Sequence, residues 1–347
     1  MKSRRLMLLI TLLSIIFLQN CKEPIYQLED QESYSRIFMQ SASNGAIEKS
    51  LPIADEWVTF SFGAGYGGPA NLDQNIQVNF EIAQDQVDIY NQQNNTNYEL
   101  PPADSYRFDN LTVEIPAGKT GSNSTSVEIN SVKLNGTKAY LLPIRISKVS
   151  ANIPVIEELK TTYLIVKGFY DTNPYVPYER TDWEVIEVSS DRAEGTPVVQ
   201  GLGRHAIDGN VATAWLSNYT NPPGGSRPKH PHHIVIDTDK NNEGTEVALH
   251  GVTIHGRIST TSPTQNTYLF PKQIHIETSL DGTTWESAGV FAIPYPSGGE
   301  VGNEATRFPI ATVFLEESKT CKYFKITILS SHSNNGDTTA IAEIEAF

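Results

Sequence analysis

Within six positions, Asp208, Gly209, Asn210 and Thr213 set a carboxylate, a side-chain amide and a hydroxyl around a turn-forming glycine. Two readings of this string stand. As structure alone, an Asp-Gly turn closes through its own hydrogen bonds. As chemistry, a tight turn points several oxygens inward at once, which suits Ca²⁺, an ion that takes about six to eight oxygens at roughly 2.3–2.6 Å. Asp281-Gly282, between Ser279 and Trp285, reads only as a hairpin tip. His230, His232 and His233 are of a type that ligates zinc. Two of them adjoin a strand-like run, where successive side chains point to opposite faces, and no cysteine or carboxylate nearby completes a tetrahedral set. The segment is therefore read as a strand entry.

Hydrolytic chemistry has little to build on. A glycosidase needs two carboxylates held about 5–9 Å apart in a cleft, and the 40 acidic residues form no glycosidase-like motif. Neither a Gly-x-Ser-x-Gly elbow nor a His-Glu-x-x-His helix is present. The chain is expected to bind rather than to catalyse.

The two cysteines differ in setting. Lys2, Arg4 and Arg5 precede an apolar or small-residue run from Leu6 to Leu18, and Gln19, Asn20 and Cys21 follow. A helix of that run reaches about 20 Å, short of the ~30 Å hydrocarbon core, so it reads as the hydrophobic region of a signal peptide. Residues 1–20 are expected to be removed and Cys21 to carry lipid, with an ordinary secreted chain as the alternative. Lys22 and Glu23 resemble the surface-export signal of Bacteroidetes lipoproteins, and read equally as solvated charges in a tether over 21–33. A lipid of two or three chains anchors almost irreversibly. The expected location is the outer membrane, facing the exterior, with the lipid as sole membrane contact. With Cys21 lipidated, Cys321 has no partner for an intramolecular disulfide, so stability must come from core burial.

The formal charge is −14, and loss of the first twenty residues leaves 23 basic against 40 acidic groups, or −17. Nucleic acid is thereby excluded, since phosphate binding needs clustered Lys and Arg.

The elements that must position these residues read as strands. Runs at Tyr34–Met39, Trp57–Phe62, Ile76–Ile82, Leu111–Ile115, Ser126–Ile129, Ala139–Ile146 and Thr162–Val166 are rich in β-branched and aromatic residues and bounded by Gly, Pro, Asn or Ser. One surface helix is predicted over Gln84–Thr96. After a Pro-bearing linker at 169–180 come further strands at Trp183–Val188, His233–Asp237, Val252–His255, Gln273–Thr278, Gly289–Ile293, Tyr323–Leu329 and Ile341–Phe347. The first and last of these are expected to pair and close a barrel. The fold class is thus all-β, with domains at 34–168 and 181–347.

Val87-Asp88-Ile89-Tyr90-Asn91, Thr96-Asn97-Tyr98-Glu99-Leu100-Pro101, Val113-Glu114-Ile115-Pro116-Ala117-Gly118 and Tyr140-Leu141-Leu142-Pro143-Ile144 follow in order. By that order and spacing, residues 30 to 170 resemble an N-terminal domain of unknown function (the 1735 type) of Bacteroidetes surface lipoproteins. The resemblance implies an immunoglobulin-like β-sandwich, here read as a spacer.

A second ordered series runs Ala206-Ile207-Asp208-Gly209-Asn210, Thr213, Trp215, His233-Ile234-Val235-Ile236-Asp237, Val252-Thr253-Ile254-His255-Gly256-Arg257 and Pro271-Lys272-Gln273-Ile274. Glu277-Thr278-Ser279, Asp281-Gly282, Trp285, Tyr323-Phe324-Lys325-Ile326 and Ala342-Glu343-Ile344 complete it. The whole of 181–347 is similar to the coagulation factor 5/8 type C, or discoidin, domain, including family 32 carbohydrate-binding modules. The resemblance implies an eight-stranded, galactose-binding-like jelly roll with ligands held by loops. It also implies a structural Ca²⁺ bound by carboxylates of Asp208 and Glu343, by Thr213, and by backbone oxygens of His205, Asn210 and Ala342; a metal-free hydrogen-bonded turn is the alternative. It places Trp215 and Trp285 in the core.

Sugar recognition wants an aromatic face and polar groups matched to hydroxyls. Three loops offer them: Leu216–His230 with Asn218, Tyr219 and Arg227; Arg257–Phe270 with Arg257, Asn266 and Tyr268; and Ser330–Thr339 with His332, Asn334, Asn335 and Asp337. The expected function is non-catalytic capture of a galactose-type or complex glycan at the cell surface, for partner hydrolases and glycan-uptake transporters. An adhesion or assembly protein whose discoidin domain holds another protein is the rival.

Overall fold

The computed structural model describes residues 29–258, 269–294, 309–332 and 336–347. Cys21, Asn266, Tyr268, Asn334 and Asn335 lie outside the described residues. The chain is all-β and divides into two compact units.

The N-terminal unit holds β1 (Arg36–Phe38), β2 (Ile47–Pro52), β3 (Trp57–Phe62), β4 (Gly65–Gly67), β5 (Ile76–Ile82), β6 (Tyr106–Phe108), β7 (Thr112–Ile115), β8 (Thr125–Asn130), β9 (Ala139–Val149) and β10 (Thr161–Phe169). A five-stranded sheet ordered β2-β10-β9-β5-β7 accompanies a three-stranded sheet β3-β8-β6 and the pair β1-β4. Residue types follow position. The central strand β9 is buried without a break from Tyr140 to Ile144, whereas β5 alternates, with Ile76, Val78 and Phe80 inside. Helix α1 (Asp85–Asn94) ends where Asn95 turns left-handed and its N–H bonds the Asn91 carbonyl. Strands β2, β4 and β6 are additions to the sequence reading; each is short or exposes most of its side chains, so it shows no apolar run.

The C-terminal unit contains β11 (Glu184–Val188), β12 (Trp215–Leu216), β13 (His232–Asp237), β14 (Val247–Gly256), β15 (Pro271–Ser279), β16 (Glu286–Ala292), β17 (Ile310–Cys321), β18 (Tyr323–Ser331) and β19 (Ala340–Ala346). Eight strands of five residues or more, with the two-residue β12, form sheets ordered β11-β13-β18-β15-β16 and β12-β19-β14-β17. Trp183, Trp215, Phe270, Phe324, Ile326 and Ile344 are among the side chains that fill the core.

Two expectations are corrected here. The first and last strands do not pair: β11 bonds only β13, while β19 lies between β12 and β14 in the other sheet. The terminal strands therefore belong to different layers. Trp285 is outside the core, because it sits at the Asp281-Gly282 hairpin leading into the edge strand β16, with the Lys325 ammonium 4.6 Å from its ring centroid. Trp215 is fully buried, and its indole N–H donates to the Ser190 carbonyl at 3.0 Å.

Strand β17 was not legible in sequence. Glu316, Glu317 and Ser318 interrupt its apolar pattern where the register with β14 shifts between Leu249 and Gly251.

Candidate functional site: an acidic corner and a loop cluster

The acidic corner starts from a local turn. Gly209 adopts φ 79°, a left-handed conformation that glycine enters freely. The turn lets the Asn210 N–H point at Asp208 Oδ1, at 2.9 Å, and at Glu343 Oε1, also at 2.9 Å. One amide thus serves two carboxylates, one from the turn and one from β19. The Thr213 hydroxyl donates to Asp208 Oδ2 at 2.8 Å, and the Asn210 carbonyl accepts the Thr213 N–H at 2.9 Å.

Glu343 is 1% exposed. Burial pushes its carboxyl up to about 7; a hydrogen bond with Asp208 adds to the rise, and Arg180 opposes it. The Arg180 guanidinium bonds Glu343 Oε2 and donates to the Ile344 carbonyl at 2.8 Å. Arg180 falls in the stretch read as linker. In the structure Tyr178 N–H donates to the Ala346 carbonyl at 2.9 Å and Tyr175 stacks on Phe347, so this stretch is packed on the C-terminal unit.

The donor chemistry of this corner fits a hard divalent cation. Two carboxylates converge, one too buried to ionise readily, with a hydroxyl beside them. His205, buried in the 3₁₀ turn Gly203–Ala206, uses Nδ1 to accept the Leu202 N–H at 3.2 Å, and since a hard cation takes oxygen ligands, its carbonyl is the group for such a role. Ala342 is fully buried in β19.

The loop cluster is assembled from distant segments. Ser217 and Thr339 exchange hydrogen bonds, N–H to carbonyl at 3.1 Å and N–H to hydroxyl at 2.9 Å. Ala340 N–H donates to the Leu269 carbonyl at 3.1 Å and His332 N–H to Phe270 at 3.0 Å. The Asn218 N–H donates to the Ser190 hydroxyl at 3.1 Å. The described ends of the three loops singled out from sequence therefore meet at one end of the domain, together with a fourth loop, residues 189–202, that sequence reasoning missed.

That fourth loop carries the centre of the cluster. Glu194 and Gln200 close it, Glu194 N–H to the Gln200 carbonyl at 2.9 Å and Gln200 Nε2 to Glu194 Oε2 at 2.8 Å. Gly201, at φ 96°, is required, because a Cβ there would fall 1.7 Å from the Arg192 carbonyl oxygen. Tyr219, 40% exposed, donates its hydroxyl to Glu194 Oε1 at 2.5 Å, a bond that keeps the phenol protonated. The Arg192 guanidinium lies 5.8 Å from the Tyr219 ring centroid, and Arg257 Nη2 lies 3.9 Å from Glu194 Oε2. An exposed aromatic ring is thus fixed at its hydroxyl and flanked by two guanidinium groups and an amide. The only cues to Glu194 in sequence were Gly195, Pro197 and Gly201 around charged residues.

The other candidates fall as follows. Arg227 pairs with Asp337, Nε to Oδ2 at 3.1 Å, which ties two of the loops together. Asn218 Oδ1 accepts the Thr220 N–H and hydroxyl, so its side chain shapes the turn. His332 stands beside Lys272 and its imidazole is held toward the neutral form by burial. His232 and His233 enter β13 on opposite faces. His232 is fully buried with Nε2 against the Asp337 carbonyl at 2.5 Å, and His233 pairs with Glu187 at 2.9 Å. Among the described residues no three His, Cys, Asp or Glu side chains group as metal ligands.

Residues 30–153 match a family model for an N-terminal domain, and residues 186–344 match the F5/8 type C domain. None of the curated proteins compared with the chain matches it. Among solved structures, the C-terminal domain of a chitobiase from Bacteroides fragilis is 27% identical over 50% of this chain and 97% of its own, with a TM-score of 0.37. A two-domain protein of unknown function from Bacteroides fragilis is 13% identical over 91% and 95%, at 0.34. A family 32 carbohydrate-binding module of Clostridium perfringens, solved with galactose, is 17% identical over 48% and 94%, at 0.33. The chain is all-β in two compact units, and residues 186–344, within the second, match the F5/8 type C domain.

Proposed function

We propose that the C-terminal domain is a carbohydrate-binding module and that the loop cluster around Tyr219 is its site. The observation that carries this reading is the Tyr219 ring: 40% exposed, held at its hydroxyl by Glu194, with Arg192, Gln200 and Arg257 around it. The C–H face of a sugar stacks on such a ring while hydroxyls engage the polar rim. Orientation set by a rigid scaffold lowers the entropic cost of binding. The match to the F5/8 type C domain supports the same reading.

A Ca²⁺ ion seated between Asp208 and Glu343, with Thr213 and backbone oxygens of His205, Asn210 and Ala342, accompanies this proposal. It would offset the buried carboxylate and fasten β19 to the Asp208 turn, a structural role.

At the scale of the cell, a lipid on Cys21 would hold the domain at the outer surface, capturing glycan for partner hydrolases and transporters. A single such site binds on the order of millimolar to micromolar, about −4 to −8 kcal/mol, and many anchored copies would raise the avidity. The test is a glycan array probed with residues 22–347 in millimolar Ca²⁺, followed by calorimetry on the hits. Saturable binding that is lost in Tyr219→Ala is the expected result, and uniform silence of the array overturns the proposal in favour of a protein partner.

A further inference from the structure

Among the described residues Arg257 is one partner short. Its Nε is shielded from solvent and has no hydrogen-bond partner among the described residues. Its Nη2 stops 3.9 Å from Glu194 Oε2, beyond hydrogen-bond reach, and 18% of the side chain remains open. Nε and Nη2 form one edge of the guanidinium, the edge that meets a carboxylate through two parallel bonds. A buried guanidinium N–H without an acceptor is costly, so such donors are kept where something else supplies one.

The charge around it points the same way. Glu194 already accepts from Tyr219 and Gln200, and among the described residues it is the one carboxylate bonded within a group that holds two guanidinium ions, Arg192 and Arg257. Asp191, exposed beside Arg192, forms no ion pair among the described residues. Among the described residues, a chain of net charge −14 thus sets two guanidinium groups against one bonded carboxylate at an exposed tyrosine. Interactions across more than about 8 Å are largely screened at physiological ionic strength, so the contact groups outweigh the distant negative surface.

We propose that the sugar bound at Tyr219 is anionic, presenting a carboxylate or a sulfate to the solvent-open edge of the Arg257 guanidinium while its ring lies on Tyr219. The inference rests on the carbohydrate-binding reading of the same cluster. A neutral hydroxyl offers that edge one acceptor and no charge; an acid group offers two oxygens and neutralises the excess.

The full chain is titrated calorimetrically with paired probes: oligogalacturonides and hyaluronan oligosaccharides, each beside its carboxyl-reduced twin, and a sulfated galactan beside its desulfated form. The acidic member should bind at least about tenfold tighter than its twin, a difference of about 1.4 kcal/mol. Preference for the carboxylate probes assigns a uronic acid, and preference for the galactan alone assigns a sulfate ester. Arg257→Gln should abolish the preference. Glu194→Gln should raise acid affinity a few-fold, a gain that misfolding does not produce. Equal binding of both twins, with Arg257→Gln weakening them alike, overturns the anionic assignment and leaves the carbohydrate reading standing. Silence of every probe in the wild type, with the fold intact by its melting curve, overturns the carbohydrate reading and this inference with it.

Discussion

The acidic corner and the loop cluster belong to one domain, yet they are short of opposite things. At Asp208 and Glu343 two carboxylates share the Asn210 amide with one guanidinium, Arg180, beside them, and burial pushes Glu343 up to about 7, so the corner holds more carboxylate than cation. At Tyr219 two guanidinium groups stand by one carboxylate, so the cluster lacks an anion. They also differ in rigidity of origin. The first is a hydrogen-bonded turn locked to the middle of a sheet, while the second is drawn from loops that meet only when the sheets have packed. A cation bound at the first should show in stability, and a ligand bound at the second in affinity.

Four measurements break or sharpen this contrast. The largest effect should follow Trp215→Ala. Trp215 is fully buried in β12, with Thr213 of the acidic corner just before it and Ser217 of the loop cluster just after. Its loss should cost about 3–5 kcal/mol in denaturant unfolding, and any folded remainder should have lost both the calcium response and glycan binding. Retention of one function alone would show that the two corners do not share this support.

Next comes the metal. With Ca²⁺ at a hundred times its dissociation constant, the wild type should gain about 2.7 kcal/mol, read as a higher melting temperature than in chelator. Glu343→Gln should melt at the same temperature in both and still bind glycan in calorimetry. A melting temperature of the wild type that ignores Ca²⁺ would remove the cation from the corner.

Tyr219→Ala makes the reciprocal separation. Affinity for the ligand should fall about tenfold or more, while unfolding free energy stays within about 0.5 kcal/mol of the wild type, since the side chain is a surface one. Loss of stability instead would make Tyr219 a structural brace.

The smallest effect is that of pH. Burial lowers the pKa of both His230 and His232, which lie 4.8 Å apart by ring centroids; His230 bonds the Ser331 hydroxyl at 3.0 Å and His232 the Asp337 carbonyl. Their folded pKa values lie below the unfolded value of 6.5, so the unfolded chain takes up protons first as pH falls. Stability from the neutral pair is complete above that value and declines below it. Glu343, raised to about 7, stabilises the fold as pH falls over the same range, so the pair is read in Glu343→Gln, whose melting temperature should drop by a few degrees from pH 7 to pH 5, a drop that His232→Gln should lessen. A flat profile over this range would mean that the Asp337 carboxylate compensates the charge.

The sequence by itself settled whatever is decided over short distances. Strand positions such as Trp57–Phe62 and Ile76–Ile82 were readable because alternation and bounding turn residues act locally. The Asp208–Thr213 turn was readable for the same reason, since its bonds close within six residues. Strand pairing was not: β11 and β19 look alike as alternating terminal strands, and only packing of two layers put them in different sheets. Trp285 has the composition of a core residue, but an edge strand gives it solvent on one side. Arg180 reaches Glu343 across 163 positions, and Arg227 meets Asp337 across 110. No local preference encodes such pairs. They exist because sheet register and loop closure bring charged groups into a medium where an unmatched partner is costly, and that is fixed only by the folded chain.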